Sequence, residues 1–284
     1  MSEKPDVAEI VAAVEASGYL LEQRVADVFE SLGYHVETNY AFLDTAQEVS
    51  RELDVRAFRR EYHDVDRNEA VWVDYLAECK KSPEPLVFFS RAKTGLDQRR
   101  EPQEYVFTCG SRMEPTAENP KAFSEVPAFR HLGLADGHWS WARREKATQF
   151  CRIGRGGKGS WKADHGNVYN GLLVPLAKAL IAEQKRVGPV DGQSGYAWLW
   201  VPMVVTTAPL YVIDSTTRPP VARAVTHATL TRAFSGSALQ GVFSFEFVQV
   251  DALQDFVQGS VDPFVKRVVD IAQAQNGRLF RRPT

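Results

Sequence analysis

A long apolar run that ends in two opposite charges constrains the fold of this chain more than any other feature. Residues 71–80 read VWVDYLAECK, and the β-branched and aromatic side chains in this run are typical of a buried strand. Pro83 and Pro85 follow and end the strand, because proline cannot donate a hydrogen bond to a sheet. Glu78 and Lys80 therefore lie where burial should still be strong, which indicates an ion pair or a functional site.

A third charged residue lies on the preceding predicted strand. Asp54 has apolar neighbours on both sides within residues 51–59, and a carboxylate turned inward at such a position needs a partner. Alternate side chains of a strand share one face, so Glu78 and Lys80 project to the same side. Adjacent strands can bring Asp54 close to Glu78, and a divalent cation would relieve the repulsion between the two carboxylates. The pattern indicates a metal-dependent hydrolase of phosphodiesters, in which lysine stabilises negative charge or helps deprotonate water.

The Glu-x-Lys pattern is weak by itself, since a chain of this size contains about one copy by chance. A second copy, Glu183–Gln184–Lys185, lies at the polar end of a predicted helix, where both charged side chains are expected to be solvated. The copy at residues 78–80 differs because it closes a buried strand and has Asp54 on the strand before it.

The remaining patterns predict an α/β fold, in which a sheet is covered by helices. Composition and periodicity indicate helices over 6–16, 19–33, 168–186 and 262–275. Alternation and apolar runs predict strands over 34–40, 51–59, 71–81, 197–207, 209–215 and 242–250. Residues 61–70 are polar and predict a turn, and Pro175 is expected to kink its helix.

Residues 1–284 are expected to form one domain, within which residues 84–165 are an insertion or subdomain. This segment mixes proline, glycine, arginine and aromatic residues. It contains candidate strands at 103–110 and 147–154.

Charge bears on the class of partner. The chain of 284 residues has a formal net charge of -2, so a nucleic acid would have to meet a local basic patch. Two basic stretches, 91–100 and 151–167, are candidates for contacts to a DNA backbone. The alternative for each is a solvated, flexible basic loop.

Cysteine spacing and hydropathy bear on the compartment. Cys79, Cys109 and Cys151 form no C-x-x-C pair, which argues against a zinc site and against a disulfide framework. The N-terminus lacks the basic and apolar regions of a signal peptide, and no run of about 18 apolar residues occurs. We therefore expect a soluble, cytoplasmic protein without a membrane partner.

Three segments within residues 18–82 resemble a known nuclease superfamily. They are GYLLEQRVADVFESLGYHVETN, ELDV and AECKK. A helix with a glutamate, a strand with an aspartate and a strand with Glu-x-Lys resemble the PD-(D/E)xK nucleases, most of all the Mrr-like and Holliday-resolvase-like branches. Glu22 matches the helix glutamate and Asp54 the strand aspartate. Glu78 and Lys80 match the final pair.

The resemblance implies a restriction-endonuclease-like core, with a central mixed β-sheet flanked by helices and an insertion after the Glu-x-Lys strand. It implies a Mg²⁺-dependent endodeoxyribonuclease, with Mn²⁺ as a substitute, that hydrolyses DNA in restriction, defence or repair. Asp54 and Glu78 would ligate the metal together with the carbonyl of Cys79. Glu22 would hold a coordinated water or a second ion, and Lys80 would position or activate the attacking water.

The chain departs from the family pattern at two points, and two alternative functions stay open. Leu53 replaces the proline of the motif's name, and a long segment after Lys80 separates the next helix from the core. One alternative is a catalytically silent nuclease-fold module that binds DNA or regulates a larger assembly. The other is a non-nuclease α/β protein in which Glu78 and Lys80 form a plain ion pair. Besides DNA, the expected partners are a second copy of the chain or components of a defence or repair assembly.

Overall fold

A mixed β-sheet forms the centre of the molecule, and helices cover both of its faces. This computed structural model describes residues 4–45, 47–116, 118–164, 169–187, 195–236, 239–274 and 276–280. Within these ranges, the prediction of an α/β fold with a large mixed central sheet flanked by helices is confirmed.

The helices and strands have the following bounds. The α-helices are α1 (Val7–Ser17), α2 (Tyr19–Ser31), α3 (Gly95–Arg99), α4 (Ala128–His131), α5 (Val174–Val187), α6 (Leu253–Phe256), α7 (Asp262–Ala274) and α8 (Asn276–Leu279). The strands are β1 (His35–Asp44), β2 (Val49–Asp64), β3 (Glu69–Lys80), β4 (Leu86–Ala92), β5 (Tyr105–Phe107), β6 (Arg112–Pro115), β7 (Phe123–Val126), β8 (Glu145–Arg155), β9 (Trp161–Asp164), β10 (Gly195–Thr206), β11 (Leu210–Asp214), β12 (Ala222–Val225), β13 (His227–Ser235) and β14 (Gln240–Gln249). Short 3₁₀ segments occupy Ala135–Gly137, Gly157–Gly159 and Val250–Ala252, and π-helical segments occupy Tyr169–Leu173 and Val257–Val261.

The large sheet has the strand order β1-β2-β3-β10-β14-β13-β8-β4-β11-β12, with β5 paired to β10 and β9 paired to β8. Strands β1, β2 and β3 form an antiparallel meander, whereas β10 lies parallel to both β3 and β14. Residues 84–165 contribute β4, β5, β8 and β9 to this sheet, while β6 and β7 pair with each other. The strand that carries Glu-x-Lys therefore lies inside the sheet, between β2 and β10.

Two hydrophobic clusters lie on opposite faces of the sheet, because β3 is apolar on both of its faces. Val71, Val73, Tyr75 and Ala77 pack in one cluster with residues of α2, α6 and α7. Leu76 packs in the other cluster with residues of α5. The continuous apolar run noted in the sequence thus serves two cores at once.

The junction between α1 and α2 follows from one glycine. Gly18 has a φ of 100°, and it ends α1 and begins α2. Glycine adopts this left-handed conformation without the steric cost that a side chain adds. The helices predicted over 6–16 and 19–33 are confirmed, with ends that differ by one or two residues.

The hairpin of β2 and β3 is longer than the sequence indicates. The turn predicted over 61–70 is wrong for most of its length, because β2 continues to Asp64 and β3 begins at Glu69. A register shift between Arg60 and Tyr62 lets the polar end of β2 stay in the ladder. Polar composition reflects here the exposed face of a strand rather than a loop.

Strands β4, β12 and β13 were not predicted, although β13 does alternate between buried and exposed side chains. Leu230 on β13 is fully buried.

Pro175 lies in the first turn of α5, directly after the π-helical segment, where a missing N–H group breaks no α-helical hydrogen bond. The irregularity expected at Pro175 is therefore a change from π-helix to α-helix at Val174.

The structure also describes the state of the three cysteines and the length of the helices. Cys79, Cys109 and Cys151 are all free thiols. Burial raises the pKa of the Cys79 thiol, with the negative charge of Asp54 as a further cause, so this thiol stays protonated. No helix within the described ranges is long and apolar enough to cross a membrane.

Arg56 of β2 is buried and joins four elements of the fold. Its guanidinium donates to Asp74 of β3 at 2.7 Å and lies 3.0 Å from a carboxylate oxygen of Glu183 of α5. A carboxylate oxygen of Glu37 of β1 is 3.2 Å away. Burial lowers the pKa of Arg56, but the carboxylates of Asp74 and Glu183 outweigh it, so the pKa is raised and the group stays charged. This buried ionic cluster ties β1, β2, β3 and α5 together.

The solvated position expected for Glu183 is wrong. Its side chain is only 2% exposed and accepts hydrogen bonds from Arg186 at 2.7 Å and 3.0 Å, in addition to its contact with Arg56. Lys185 is exposed, as expected, and donates to Thr45 at 2.9 Å. The second Glu-x-Lys copy is therefore divided between a buried cluster and the surface, because residues two positions apart on a helix do not share one face.

Replacing Arg56 with methionine should leave Asp74 buried without a compensating charge and should leave Glu183 with Arg186 as its cationic partner. We expect the free energy of unfolding to fall by about 3–5 kcal/mol, measured by urea denaturation. The matched control is Arg60→Met, because Arg60 is exposed on the same strand. Equal stability of the two variants would contradict the structural role of the cluster.

Candidate functional site

Strand β2 leaves β3 at the point where β3 carries its charged residues. The ladder between the two strands ends at the pair Val55–Ala77, and beyond Val55 strand β2 pairs only with β1. The backbone N–H of Cys79 on β3 donates instead to Oδ2 of Asp54 at 2.6 Å. A carboxylate thus takes the place of a strand partner, and this fixes Asp54 beside the Glu-x-Lys segment.

Glu78 and Lys80 are held from the other side by β10. Glu78 is paired with Val204, and Lys80 with Thr206. The hydroxyl of Thr206 donates to the carbonyl of Lys80 at 2.7 Å. Because successive carbonyls of a strand point to opposite sides, the carbonyl of Cys79 points away from β10, into the space that β2 has left.

Glu22 reaches the same opening from α2. It lies in the first turn of that helix and is half-buried. Its carboxylate interacts electrostatically with Asp54 and with Glu78. The ammonium of Lys81 donates to the carbonyl of Glu15 and ties α1 to the end of β3. The structure therefore brings the four side chains selected from the sequence to one edge of the sheet.

Burial and mutual repulsion dominate the electrostatics of this edge. Burial raises the pKa of Glu78 to about 8, with the negative charges of Asp54 and Glu22 as further causes. Lys80 opposes that shift. Burial also raises the pKa of Asp54, against the amide of Cys79 and the ammonium of Lys80. The pKa of Glu22 is raised by burial and by Asp54. One lysine does not compensate three carboxylates, so added positive charge would stabilise their ionised forms.

Three of the four side chains have free polar ends. Within the part of the chain that the structure describes, the carboxylates of Glu22 and Glu78 and the ammonium of Lys80 make no hydrogen bond and no ion pair at 4.0 Å or less. Glu78 and Lys80 are thus not paired with each other, in contrast to one of the alternatives raised by the sequence. Their polar groups remain available for a ligand.

The donors at this edge fit a hard divalent cation. Asp54, Glu78 and the carbonyl of Cys79 offer oxygen atoms around one opening, and oxygen is the ligand that Mg²⁺ prefers. Among the described residues, no three His, Cys, Asp or Glu side chains lie close enough together to form a ready metal cluster. A ligand set here would therefore combine two carboxylates with a backbone carbonyl and water, as Mg²⁺ sites in proteins commonly do.

Comparisons with known proteins do not assign a family. No protein-family model matches this chain, and no curated protein or solved structure shows significant similarity to it. The membership in the PD-(D/E)xK superfamily, the DNA partner and the roles of the four side chains consequently stay predictions. What supports them is the arrangement of the residues themselves.

The two basic stretches have different surroundings. In 151–167, Arg152 forms ion pairs with Glu84 and Asp164 at 3.1 Å and 3.2 Å, and the guanidinium of Arg155 lies over the ring of Trp161. Residues 165–167 lie outside the described ranges, and so does the side chain of Lys158. The stretch 91–100 instead contributes Lys93, Asp97 and Arg100 to the lining of a large cavity. This cavity lies beyond β10 from the strand that carries Glu78, and the sequence did not indicate it.

A second group of buried titratable side chains lies between β14 and the segment around His138. Nδ1 of His138 accepts backbone N–H groups of Ser140 and Trp141, so its Nε2 donates to the hydroxyl of Tyr105 at 2.6 Å. Glu246 accepts from Trp139 at 2.9 Å and from a threonine hydroxyl at 2.7 Å. The polar atoms of these side chains have hydrogen-bond partners within the protein, which is typical of a structural cluster.

The buried carboxyl group of Glu246 predicts that the stability of the protein depends on pH. Burial raises the pKa of Glu246 to about 7, above the value of 4.5 that applies when the chain is unfolded. The folded protein therefore retains a proton that the unfolded chain has lost, and stability decreases as pH rises from about 5 to 8. Glu246→Gln keeps the shape without the charge, so its stability relative to the wild type should increase by roughly 1–3 kcal/mol across this range.

Urea denaturation at several pH values measures this difference. Glu125→Gln, at an exposed position, is the control and should follow the wild type. A constant difference between Glu246→Gln and the wild type from pH 5 to 8 would show that Glu246 is ionised throughout.

Proposed function

We propose that this protein is a divalent-metal-dependent nuclease that hydrolyses phosphodiester bonds of DNA, with a restriction-endonuclease-like core. One observation carries the proposal. Two carboxylates from adjacent strands, a glutamate from α2 and an unpaired lysine converge where β2 leaves β3. The same residues were selected from the sequence because of their order along the chain.

Asp54 and Glu78 are the metal ligands in this proposal, with the carbonyl of Cys79 as a third. The hydrogen bond from the Cys79 amide orients the carboxylate of Asp54 and leaves its second oxygen free to coordinate. When bound, a divalent cation would polarise the phosphodiester and lower the pKa of a nearby water. It would also lower the pKa of Glu78, which burial and the neighbouring carboxylates raise.

Lys80 and Glu22 act on the reacting groups. The ammonium of Lys80 is exposed at the end of β3 and is free to donate to a phosphate oxygen or to orient the attacking water. Glu22 approaches from α2, and its carboxylate can accept a hydrogen bond from a water molecule. Placing these groups on a helix and on a strand fixed by backbone pairing keeps their geometry constant.

DNA cleavage tests the proposal. Purified protein with Mg²⁺ or Mn²⁺ should convert supercoiled plasmid to nicked or linear forms and should also be tested on branched DNA. Lys80→Ala should lower the rate about a hundred-fold or more, because a group that stabilises transition-state charge is lost. Agarose-gel time courses at fixed protein concentration measure the rates.

The chain offers matched controls for this experiment. Lys185→Ala removes the exposed lysine of the second Glu-x-Lys copy, and Glu52→Ala removes an exposed carboxylate from β2. Both should cleave at the wild-type rate. Cleavage that persists in Lys80→Ala and Asp54→Ala would come from a contaminant or from another site, and the assignment would be wrong.

Metal binding gives a test that does not require the right substrate. Mn²⁺ at 100 times its Kd should stabilise the wild type by about 2.7 kcal/mol, which thermal unfolding detects. Asp54→Asn and Glu78→Gln should lose most of this gain, whereas Glu52→Gln should keep it. A wild type that Mn²⁺ does not stabilise would favour a catalytically silent module instead.

A further inference from the structure

A cavity of about 780 Å³ lies beyond β10 from the strand that carries Glu78. Residues of β4, β8, β11, β12, β13 and β14 line it, together with segments around Lys93 and Trp141. Its wall at Thr226 and Gln249 is separated from Lys80 by β10, or roughly 10–15 Å at the usual strand spacing. The cavity and the candidate nuclease site share no lining residue, so separate variants can test each of them.

The lining of this cavity is strongly basic. It contains six lysines and arginines but two carboxylates. The cationic residues are Lys93, Arg100, Arg143, Arg144, Lys146 and Arg223. One carboxylate, that of Asp97, already accepts hydrogen bonds from Lys146 and from Thr94, the N-cap residue of α3. The lining thus carries a surplus of positive charge.

Most of these cations have no acidic partner. Within the described residues, the guanidinium groups of Arg100, Arg143, Arg144 and Arg223 form no ion pair. Lys93 donates to the carbonyls of two neighbouring residues, at 2.8 Å and 3.0 Å, rather than to a carboxylate. Cations collected in one cavity repel each other, and a bound anion relieves this repulsion.

The position of Lys93 adds to this picture. Its side chain is half-buried in the cavity wall. Burial lowers the pKa of Lys93 to about 8, with the charges of Arg143 and Lys146 acting in the same direction and Asp97 opposing them. An anion bound beside this ammonium would raise its pKa again, toward the ordinary value of a lysine.

The size and the remaining lining residues define the ligand. A volume of about 780 Å³ lies in the range of small-molecule sites, roughly 300–1,000 Å³. Trp141 and His227 contribute aromatic rings to the wall, and Thr231 and Ser244 contribute hydroxyl groups. Nε2 of His227 accepts from Arg143 at 2.8 Å, which keeps this imidazole neutral. Cations, rings and hydroxyls together suit a phosphate group, a planar base and a sugar.

We propose that this cavity binds a nucleotide, with its phosphates held by Arg143, Arg223 and Lys93. The lining converges from six strands around one concave volume of about 780 Å³ that is open to solvent on one side, and this size fits a small ligand. Arginine is well suited to this role, because its planar guanidinium forms bidentate hydrogen bonds with phosphate. The site does not require Glu78 or a metal ion.

Isothermal titration calorimetry of the full chain with ATP tests the proposal. EDTA keeps divalent cations away from the Asp54–Glu78 edge, and about 150 mM salt screens non-specific attraction. ATP should bind with a stoichiometry of one per chain. It should bind at least tenfold more tightly than inorganic tripolyphosphate, because the triphosphate lacks the base and the sugar.

Arg143→Gln and Arg223→Gln should each weaken ATP binding by about tenfold or more. Both arginines are exposed, so the variants should unfold at the wild-type temperature. Arg60→Gln on β2 removes an exposed arginine outside the cavity and should leave ATP binding unchanged.

Three results would overturn the proposal. The first is an absence of saturable ATP binding, and the second is tripolyphosphate binding as tightly as ATP. The third is a single-stranded oligonucleotide that loses affinity in Arg143→Gln and Arg223→Gln and is not displaced by ATP, which would make this surface a path for nucleic acid.

Discussion

The separation of β2 from β3 at Val55 is the constraint on which the candidate site depends. If the ladder continued, the backbone of β2 would occupy the space that the carbonyl of Cys79 faces. Asp54 makes the separation tolerable, because its carboxylate accepts the amide that would otherwise lose a partner. A single side chain thus ends a strand pair, satisfies the exposed backbone and takes up its own position beside Glu78.

Two groups of charges lie close together on the same strands, and their physical states differ. Arg56, Asp74 and Glu183 are buried and paired, and they join β2 and β3 to α5. Asp54 lies two residues before Arg56 on β2, and Glu78 lies four residues after Asp74 on β3. These two carboxylates are crowded, and their pKa values are raised. The paired group contributes to the integrity of the fold, whereas the crowded group costs stability. Crowded ionisable groups that destabilise the fold are typical of functional sites.

The far half of the sheet adds a feature that the meander of β1, β2 and β3 does not explain. The segment 84–165 does not simply extend from the core, since β4 and β8 lie between β13 and β11 in one continuous sheet. This placement brings Lys93 and Arg143 to the same cavity as Arg223, which is far away in the sequence. The chain therefore presents two regions of uncompensated charge, acidic at one edge and basic in the cavity.

The sequence by itself determined the α/β class, the first two helices, the strand with Glu-x-Lys and the four side chains at its edge. These features depend on local patterns: an apolar stripe, a glycine between helices, and charges that interrupt an apolar run. Only the tertiary structure decided that Glu183 is buried against Arg56, that β4 and β8 enter the central sheet, and that distant arginines share one cavity. The physical reason is that burial and charge pairing depend on which distant segments meet, and neither periodicity nor spacing along one chain carries that information.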